Sequence, residues 1–245
     1  MEILGIDIGG SGIKGALVDI ETGELTTDRL RIDTPQPSKP NAVIEVVTQI
    51  VRQFDYKGPI GVGFPAIVIQ GVTRSAANVD DGWINYPAAE KIAKATGCQV
   101  VVRNDADVAA LAEVRFGAGQ GQMGSVMVFT LGTGIGSSMF VDGKLVPNME
   151  FGHVYLPGHK KDVEYYAADR IRKKKKLSWE EWGQRLNVYF QFIESLFSPE
   201  LIIIGGGVSK NHQKFLHYID VQAKVVPAAL RNEAGIVGAA LTAVA

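Results

Sequence analysis

Three glycine clusters stand where backbone amides could close on an anion. Gly9, Gly10 and Gly12 follow the apolar run from Ile3 to Ile8. Gly132, Gly134 and Gly136 follow Val126 to Leu131, and Gly205, Gly206 and Gly207 follow Leu201 to Ile204. A strand that feeds the chain into a glycine-rich turn lets N–H groups approach a phosphate closely. One such turn is as readily a tight turn and nothing more. Three of them, each behind a strand, point to phosphate handling. A further pair with chemical potential is Asn104-Asp105, which ends a β-branched run just ahead of a helical pattern. There the pair could cap the helix, or offer a carboxylate as general base.

These groups need elements to hold them, and the first two clusters sit in segments built alike. ILGIDIGGSGIKGALVDIETGEL reads as strand, glycine turn, strand, a polar turn at Gly23, then strand. SVMVFTLGTGIGSSMFVDGKLV reads the same way, with its polar turn at Asp142-Gly143. Gly9 aligns with Gly132, about half a chain away, so two lobes on one plan are expected. Between and after them strands alternate with helices. Val43, Val46, Val47, Ile50, Val51 and Phe54 keep helical spacing, KGPIGVGFP reads as a buried strand, and QVVVRNDA is a strand leading into the helix DVAALAEVRFG. LSWEEWGQRLNVYFQFIESLF opens on a capping box, Ser178 to Glu181, and stops before Pro199. The strand ELIIIG, a helix near Asn211 to Ile219, the strand KVVP and a last helix from about Glu233 complete an α/β reading.

Composition narrows the classes. The chain has 245 residues, 25 Lys and Arg against 26 Asp and Glu, a net charge of -1 and a hydrophobic fraction of 46%. That balance excludes a basic nucleic-acid coat and a disordered chain. The one cysteine, Cys98, excludes an internal disulfide and a multi-cysteine zinc site. MEILGIDIGG lacks the basic start of a signal peptide, and the longest apolar run, GIVGAALTAVA, falls short of the roughly 20 residues of a membrane span. A soluble cytoplasmic protein is expected, with no membrane partner. The 28 glycines exceed ordinary usage of roughly 7%. Eleven of them, including Gly5 and Gly15, fall in or beside the three proposed loops.

In this order, GIDIGGSGIKGA, RNDADVAAL, LGTGIGS, the EFGH segment from Glu150 to His153, and IIIGGGVSK resemble the ROK sugar kinases of the actin/hexokinase-like ATPase superfamily. The resemblance covers almost the whole chain. More narrowly, LSWEEWGQRLNVYF, FSPELIIIGGGVSK and VVPAALRNEAGIVGAAL resemble the polyphosphate glucokinases of that family. It implies an α/β fold of two ribonuclease-H-like (actin-like ATPase) lobes flanking a central cleft. One lobe would span 1–107 with the C-terminal helix 229–245, the other 108–228. It implies transfer of a phosphoryl group from inorganic polyphosphate, with ATP open as a second donor, to the 6-hydroxyl of glucose. Closure of the lobes over glucose and a homodimer are implied in the same way.

Roles follow from the resemblance residue by residue. Asp105 becomes the general base and Asn104 its neighbour in the sugar site. Glu150 and His153, three apart, can present their groups together. With Asn78, Asn104, Asp105 and Glu164 they are the implied glucose ligands. Phosphates would meet Gly9, Gly10, Ser11, Gly12 and Lys14 in the first loop and Gly132, Thr133 and Gly134 in the second. Asp7 is suited to Mg²⁺ or its water shell, since that ion prefers carboxylate, water and phosphate oxygens. Gly205, Gly206 and Gly207 correspond to the family's adenosine pocket. Many members carry a zinc-binding cysteine cluster after the EFGH segment. Here that stretch is VYLPGHKKDVE, so no zinc is expected, and packing and hydrogen bonds must hold it.

One charge feature remains. The run Arg170, Arg172, Lys173, Lys174, Lys175, Lys176 reads by itself as a solvated surface. Beside a polyanionic donor, the tract Arg172 to Lys176 becomes a strip that steers and holds polyphosphate. No nucleic-acid-binding module accompanies it. His159, His212 and His217 read as surface or packing residues. The alternatives are an ATP-dependent hexokinase for glucose, mannose or an N-acetylhexosamine, and a non-catalytic sugar-responsive regulator, which would need a helix-turn-helix that the sequence does not offer.

Overall fold

Each glycine hairpin founds a sheet, and the two sheets share one strand order. The computed structural model describes residues 1–76, 79–230 and 233–244. In the first sheet β1 (Glu2–Ile8) and β2 (Ile13–Asp19) pair antiparallel from Glu2 opposite Asp19 to Ile8 opposite Ile13, and β3 (Leu30–Ile32) adds to β2. Helix α1 (Pro40–Gln53) leads to β4 (Ile60–Phe64), which lies parallel to β1. A short ribbon of β5 (Val68–Ile69) and β6 (Val72–Thr73) and helix α2 (Ala88–Thr96) precede β7 (Val100–Asn104), parallel to β4. The order is β3-β2-β1-β4-β7.

Helix α3 (Asp105–Phe116) then leads to the second sheet. Strands β8 (Ser125–Leu131), β9 (Ile135–Val141) and β10 (Lys144–Val146) form its meander. Three helices follow, α4 (Glu164–Ala167), α5 (Asp169–Lys175) and α6 (Trp179–Phe197). Then come β11 (Leu201–Gly205), parallel to β8, and β12 (Lys224–Pro227), parallel to β11. The order β10-β9-β8-β11-β12 repeats the first sheet strand for strand. Helix α7 (Ala234–Thr242) ends the chain. The molecule divides into one unit of Met1–Ala112 with Asn232–Ala245 and another of Glu113–Arg231, where the resemblance implies boundaries at 107/108 and 228/229.

Each unit has its own core. In the first, the α1 face of Val43, Val47, Ile50 and Val51 packs with Leu4, Ile6, Ile60, Val62, Phe64 and Trp83. All five residues of β4 are buried, as a parallel strand covered on both faces requires. In the second, Met127, Phe129, Ile202 and Ile204 of the sheet meet Trp182, Leu186, Tyr189 and Phe190 of α6. The capping box of α6 forms as its spacing predicts. Ser178 Oγ accepts from the Glu181 N–H at 3.1 Å, and Glu181 Oε2 accepts from the Ser178 N–H at 2.8 Å. That amide holds the Glu181 carboxyl below its ordinary range.

Two expectations give way. The helix near Asn211 to Ile219 is a pair of 3₁₀ stretches, Ser209–Lys214 and Leu216–Tyr218, the first kinked within itself where Asn211 takes φ -104° and ψ 18°. The segment lacks an apolar stripe to bury, Phe215 being its one fully buried large side chain, so nothing sustains an α-helix there. Gly5 and Gly15 also prove to be packing residues rather than loop residues. A Cβ on Gly5 would run into the Ile236 carbonyl of α7, and one on Gly15 would lie 2.7 Å from Ile50 Cγ2 of α1. Small residues there let helices press onto the sheet.

Candidate functional site

In the first unit the candidate groups gather at the carboxyl ends of the parallel strands β1, β4 and β7, where open α/β sheets bind ligands. Asp7 and Lys14 face each other across the β1–β2 ladder, and Lys14 Nζ bonds Asp7 Oδ2 at 3.0 Å. Lys14 therefore already serves Asp7 as well as standing beside the loop. Gly235, in the first turn of α7, packs on the same carboxylate: a Cβ there would lie 2.8 Å from Asp7 Cγ.

The loop between β1 and β2 is held by its carbonyls. Thr34 Oγ1 donates to Gly9 O, Gln36 Nε2 to Gly10 O at 3.2 Å, and Arg31 Nη2 to Ser11 O at 2.9 Å. The Gly9 N–H closes the turn onto Gly12 O at 3.0 Å. A trans peptide sets its N–H opposite its C=O. Tying these carbonyls down thus aims the N–H groups of Gly10, Ser11 and Gly12 to the other side. Ser11 and Gly10 are exposed on that loop. Arg31, Thr34 and Gln36 escape a sequence reading because they lie 20 to 26 residues from the loop carbonyls they bond, in the third strand and just after it.

Asn104 and Asp105 end β7 and begin α3. Asn104 is buried; its Oδ1 accepts from the Ala106 and Asp107 N–H groups at 2.9 and 3.1 Å, and its Nδ2 donates to Ala66 O at 3.1 Å. The capping role considered for the pair therefore falls on Asn104. Asp105 Oδ1 accepts from the Ala106 N–H at 2.8 Å, which fixes the carboxylate at the helix start. Asn78 lies outside the described residues.

In the second unit Ile135 joins the second glycine loop to the segment from Glu150 to Glu164. Its N–H donates to Glu164 Oε1 at 2.6 Å. Its carbonyl lies against Gly152, where a Cβ would run into it. The loop before it closes with the Gly132 N–H on Gly134 O at 3.0 Å, leaving Thr133 exposed at its tip. Gly134 packs on Glu164, and no atom lies within 4 Å of a Cβ built on Gly132. The third cluster joins the second: Gly206, at φ 82°, sits against the backbone of Leu131, and Gly207 faces open space. Glu150, His153, Glu164, Gly132, Thr133, Gly134 and Gly205 to Gly207 thus share one end of the second sheet.

The segment from 150 to 167 is held by one face of α6. Tyr189 Oη donates to Phe151 O at 3.0 Å, Arg185 Nη1 to Tyr166 O at 3.1 Å and Trp182 Nε1 to Ala167 O at 2.8 Å. Burial pushes the Tyr189 hydroxyl well above the ordinary phenol range, with the Glu164 charge adding to it, so it remains a donor at neutral pH. His153 Nδ1 lies 3.2 Å from Asp162 Oδ2, and its Nε2 lies 3.8 Å from Glu150 Oε2. Asp162 thereby orients the ring, a role that its nine-residue separation from His153 gives no hint of. Among the described residues no three His, Cys, Asp or Glu side chains cluster to hold a metal ion, and no helix is long and apolar enough to cross a membrane.

The basic tract is partly committed. Arg172 Nε and Lys173 Nζ both bond the buried Asp169, at 2.8 and 2.7 Å, and the Arg172 guanidinium lies 4.0 Å over the Trp179 ring. Arg172 is therefore a packing residue. Lys174, Lys175 and Lys176 are exposed, and Lys176 ends α5 at φ 53°. The helix itself is fastened to the second glycine loop, since the Arg170 N–H donates to Gly132 O at 3.1 Å.

Two sheets of one order, each opening on a glycine hairpin, define an actin-like ATPase fold with two lobes. Residues 3–164 match the model of the ROK family, and the chain belongs to that family. Over 242 residues it is 46% identical to the polyphosphate glucokinase of Mycobacterium tuberculosis, covering 98% of this chain and 91% of that one. The inorganic polyphosphate/ATP-glucomannokinase from Arthrobacter sp. strain KM superposes with a TM-score of 0.91 at 48% identity, over 98% of this chain and 97% of that one. A ROK family glucokinase from Streptomyces griseus, solved with glucose and AMPPNP, superposes with a TM-score of 0.84 at 26% identity, over 99% of both chains.

Proposed function

We propose that this chain is a polyphosphate–glucose phosphotransferase: it moves a phosphoryl group from inorganic polyphosphate to the 6-hydroxyl of glucose, giving glucose 6-phosphate. The observation that carries the donor is the bond from the Arg170 N–H to Gly132 O, which fastens the cationic helix α5 to a phosphate-type loop. The relatives that use polyphosphate, alike over nearly the full chain, support the same reading. ATP is a second donor, with Gly205, Gly206 and Gly207 beside the second loop as its adenosine pocket.

In this reading Asp105 aligns the 6-hydroxyl and accepts its proton as the terminal phosphoryl group is attacked. Phosphoryl transfer asks for placement and neutralised charge more than covalent help. The N–H groups of the two glycine loops, with Ser11, Lys14 and Thr133, supply both. Glucose is held by Asn104, Glu150, His153 and Glu164, with Asn78 as a further ligand. Asp7 offers one carboxylate beside Lys14, which fits an ion that arrives with donor phosphates rather than a prebuilt cage. Mg²⁺ held there, directly or through water, would neutralise donor charge. No zinc is assigned to the segment after His153, which closes on itself through the Val163 N–H on Val154 O at 2.9 Å and buries Leu156 and Val163. By family resemblance the enzyme works in the cytoplasm as a homodimer; light scattering reads the latter.

The donor assignment has a surface test. Replacing Lys174 and Lys175 together by Ala should raise KM for long polyphosphate about three- to ten-fold at low ionic strength and flatten its salt dependence. Glucose KM and melting temperature should not change. Lys176 is left in place because Ala is strained at its φ of 53°. An unchanged KM with an unchanged salt slope returns α5 to a solvated surface.

A further inference from the structure

Arg170 stands apart from the other cations of α5. Its N–H is fixed to Gly132 O at 3.1 Å, so its backbone abuts the second glycine loop. Its guanidinium Nη2 lies 3.5 Å from Glu164 Oε2, and its Cζ lies 5.4 Å from the Tyr165 ring centre. The side chain is 41% exposed while that of Glu164 is 17% exposed. A charge-assisted hydrogen bond runs at about 2.7–2.9 Å. The longer contact is a loose ion pair on a half-exposed side chain, of the kind that contributes little and exchanges readily. Arg172, two residues on, is by contrast locked on Asp169 and the Trp179 ring.

Glu164 is divided between two tasks. Its Oε1 is committed to the Ile135 N–H at 2.6 Å, and its Oε2 faces Arg170. Oε2 is then the oxygen left for a sugar hydroxyl, and Arg170 the guanidinium left for a phosphate beside Gly132. We propose that Arg170 is a donor-phosphate ligand of the second loop, held by Glu164 until glucose takes that carboxylate, so that glucose and polyphosphate bind with positive linkage. This rests on the assignment of Glu164 to the sugar and of the second loop to phosphate.

The reasoning is one of exchange. A guanidinium offers planar paired N–H donors that match phosphate oxygens. With neither substrate bound, Arg170 and Glu164 satisfy each other. Whichever substrate binds first must displace that pair, and the second finds it already displaced. Linkage is reciprocal, so each ligand tightens the other by the same factor. For a partly exposed pair that factor is about three-fold.

Titration of polyphosphate onto the full chain, with and without saturating 6-deoxyglucose, tests this without turnover, because that sugar lacks the accepting hydroxyl. The wild type should bind polyphosphate about three-fold tighter with the sugar present. Arg170→Gln should weaken polyphosphate about ten-fold and abolish the enhancement, its backbone bond to Gly132 being retained, while Arg170→Lys recovers part of the affinity. Glu164→Gln should raise the sugar-free affinity toward the sugar-bound level. Wild-type affinity and enhancement in a folded Arg170→Gln overturn the proposal while leaving the phosphotransferase reading intact. A wild type that binds neither ligand overturns both.

Discussion

Asp105→Asn should lower kcat by about 10²–10⁴ and leave glucose affinity within roughly a factor of three. The substitution keeps shape and keeps an oxygen able to accept from the Ala106 N–H, now bonded at 2.8 Å. It removes the group able to take a proton from an attacking hydroxyl. The neighbouring residue separates catalysis from folding. Asn104 Oδ1 caps α3 through two backbone amides, so Asn104→Ala should cost about 0.5–2 kcal/mol of stability and lower the melting temperature. Asp105→Asn should melt as the wild type does. Steady-state kinetics with a thermal melt on both variants decide the matter. Near-normal turnover in Asp105→Asn removes it as the base.

The second large effect is structural. In the first unit α7 lies between β1 and β4 on one side and α3 on the other, with glycine at each crossing. A Cβ on Gly238 would run into the Val108 carbonyl, one on Gly61 into the Ala239 carbonyl, and one on Gly5 into the Ile236 carbonyl. Backbone atoms cannot swing aside as a side chain does. Gly238→Ala should therefore cost about 3 kcal/mol or more and lower the melting temperature by roughly 6–12 °C for a chain of this size. Gly132→Ala supplies the contrast, since its added methyl meets no atom within 4 Å. It should melt normally and yet raise donor KM, as a methyl in the space of a phosphate would. Equal melting of wild type and Gly238→Ala would contradict the close crossing.

These two glycines mark how far the sequence could be read. The paired hairpins, the alternation of strand and helix and the α6 capping box were legible because local periodicity and turn chemistry decide them. Gly5 and Gly15 were not separable from the loop glycines beside them. Their need for a missing side chain comes from Ile236 and Ile50, distant in the chain and near in space. The same holds for the site. Asp7, Asp105, Glu150 and His153 announce themselves by type and motif, whereas Thr34, Gln36 and Arg31 act on backbone carbonyls and carry no signature. Glu113, a structural residue, is illegible for a like reason. Its buried carboxylate takes the Ala118, Ala229 and Leu230 amides at 3.1, 3.0 and 2.7 Å, a set of partners set by tertiary packing. A lysine-rich run is equally ambiguous until Asp169 is seen to occupy Arg172 and Lys173.

The central claim is tested most directly by following glucose 6-phosphate formation with a coupled dehydrogenase, supplying polyphosphate, ATP, GTP or no donor to the purified chain with glucose and Mg²⁺. Polyphosphate should support turnover, ATP should support it as a second donor, and the no-donor reaction should stay at background. Turnover with ATP and none with polyphosphate would contradict the assignment of the donor, and no product with any of them would contradict the sugar-kinase reading itself.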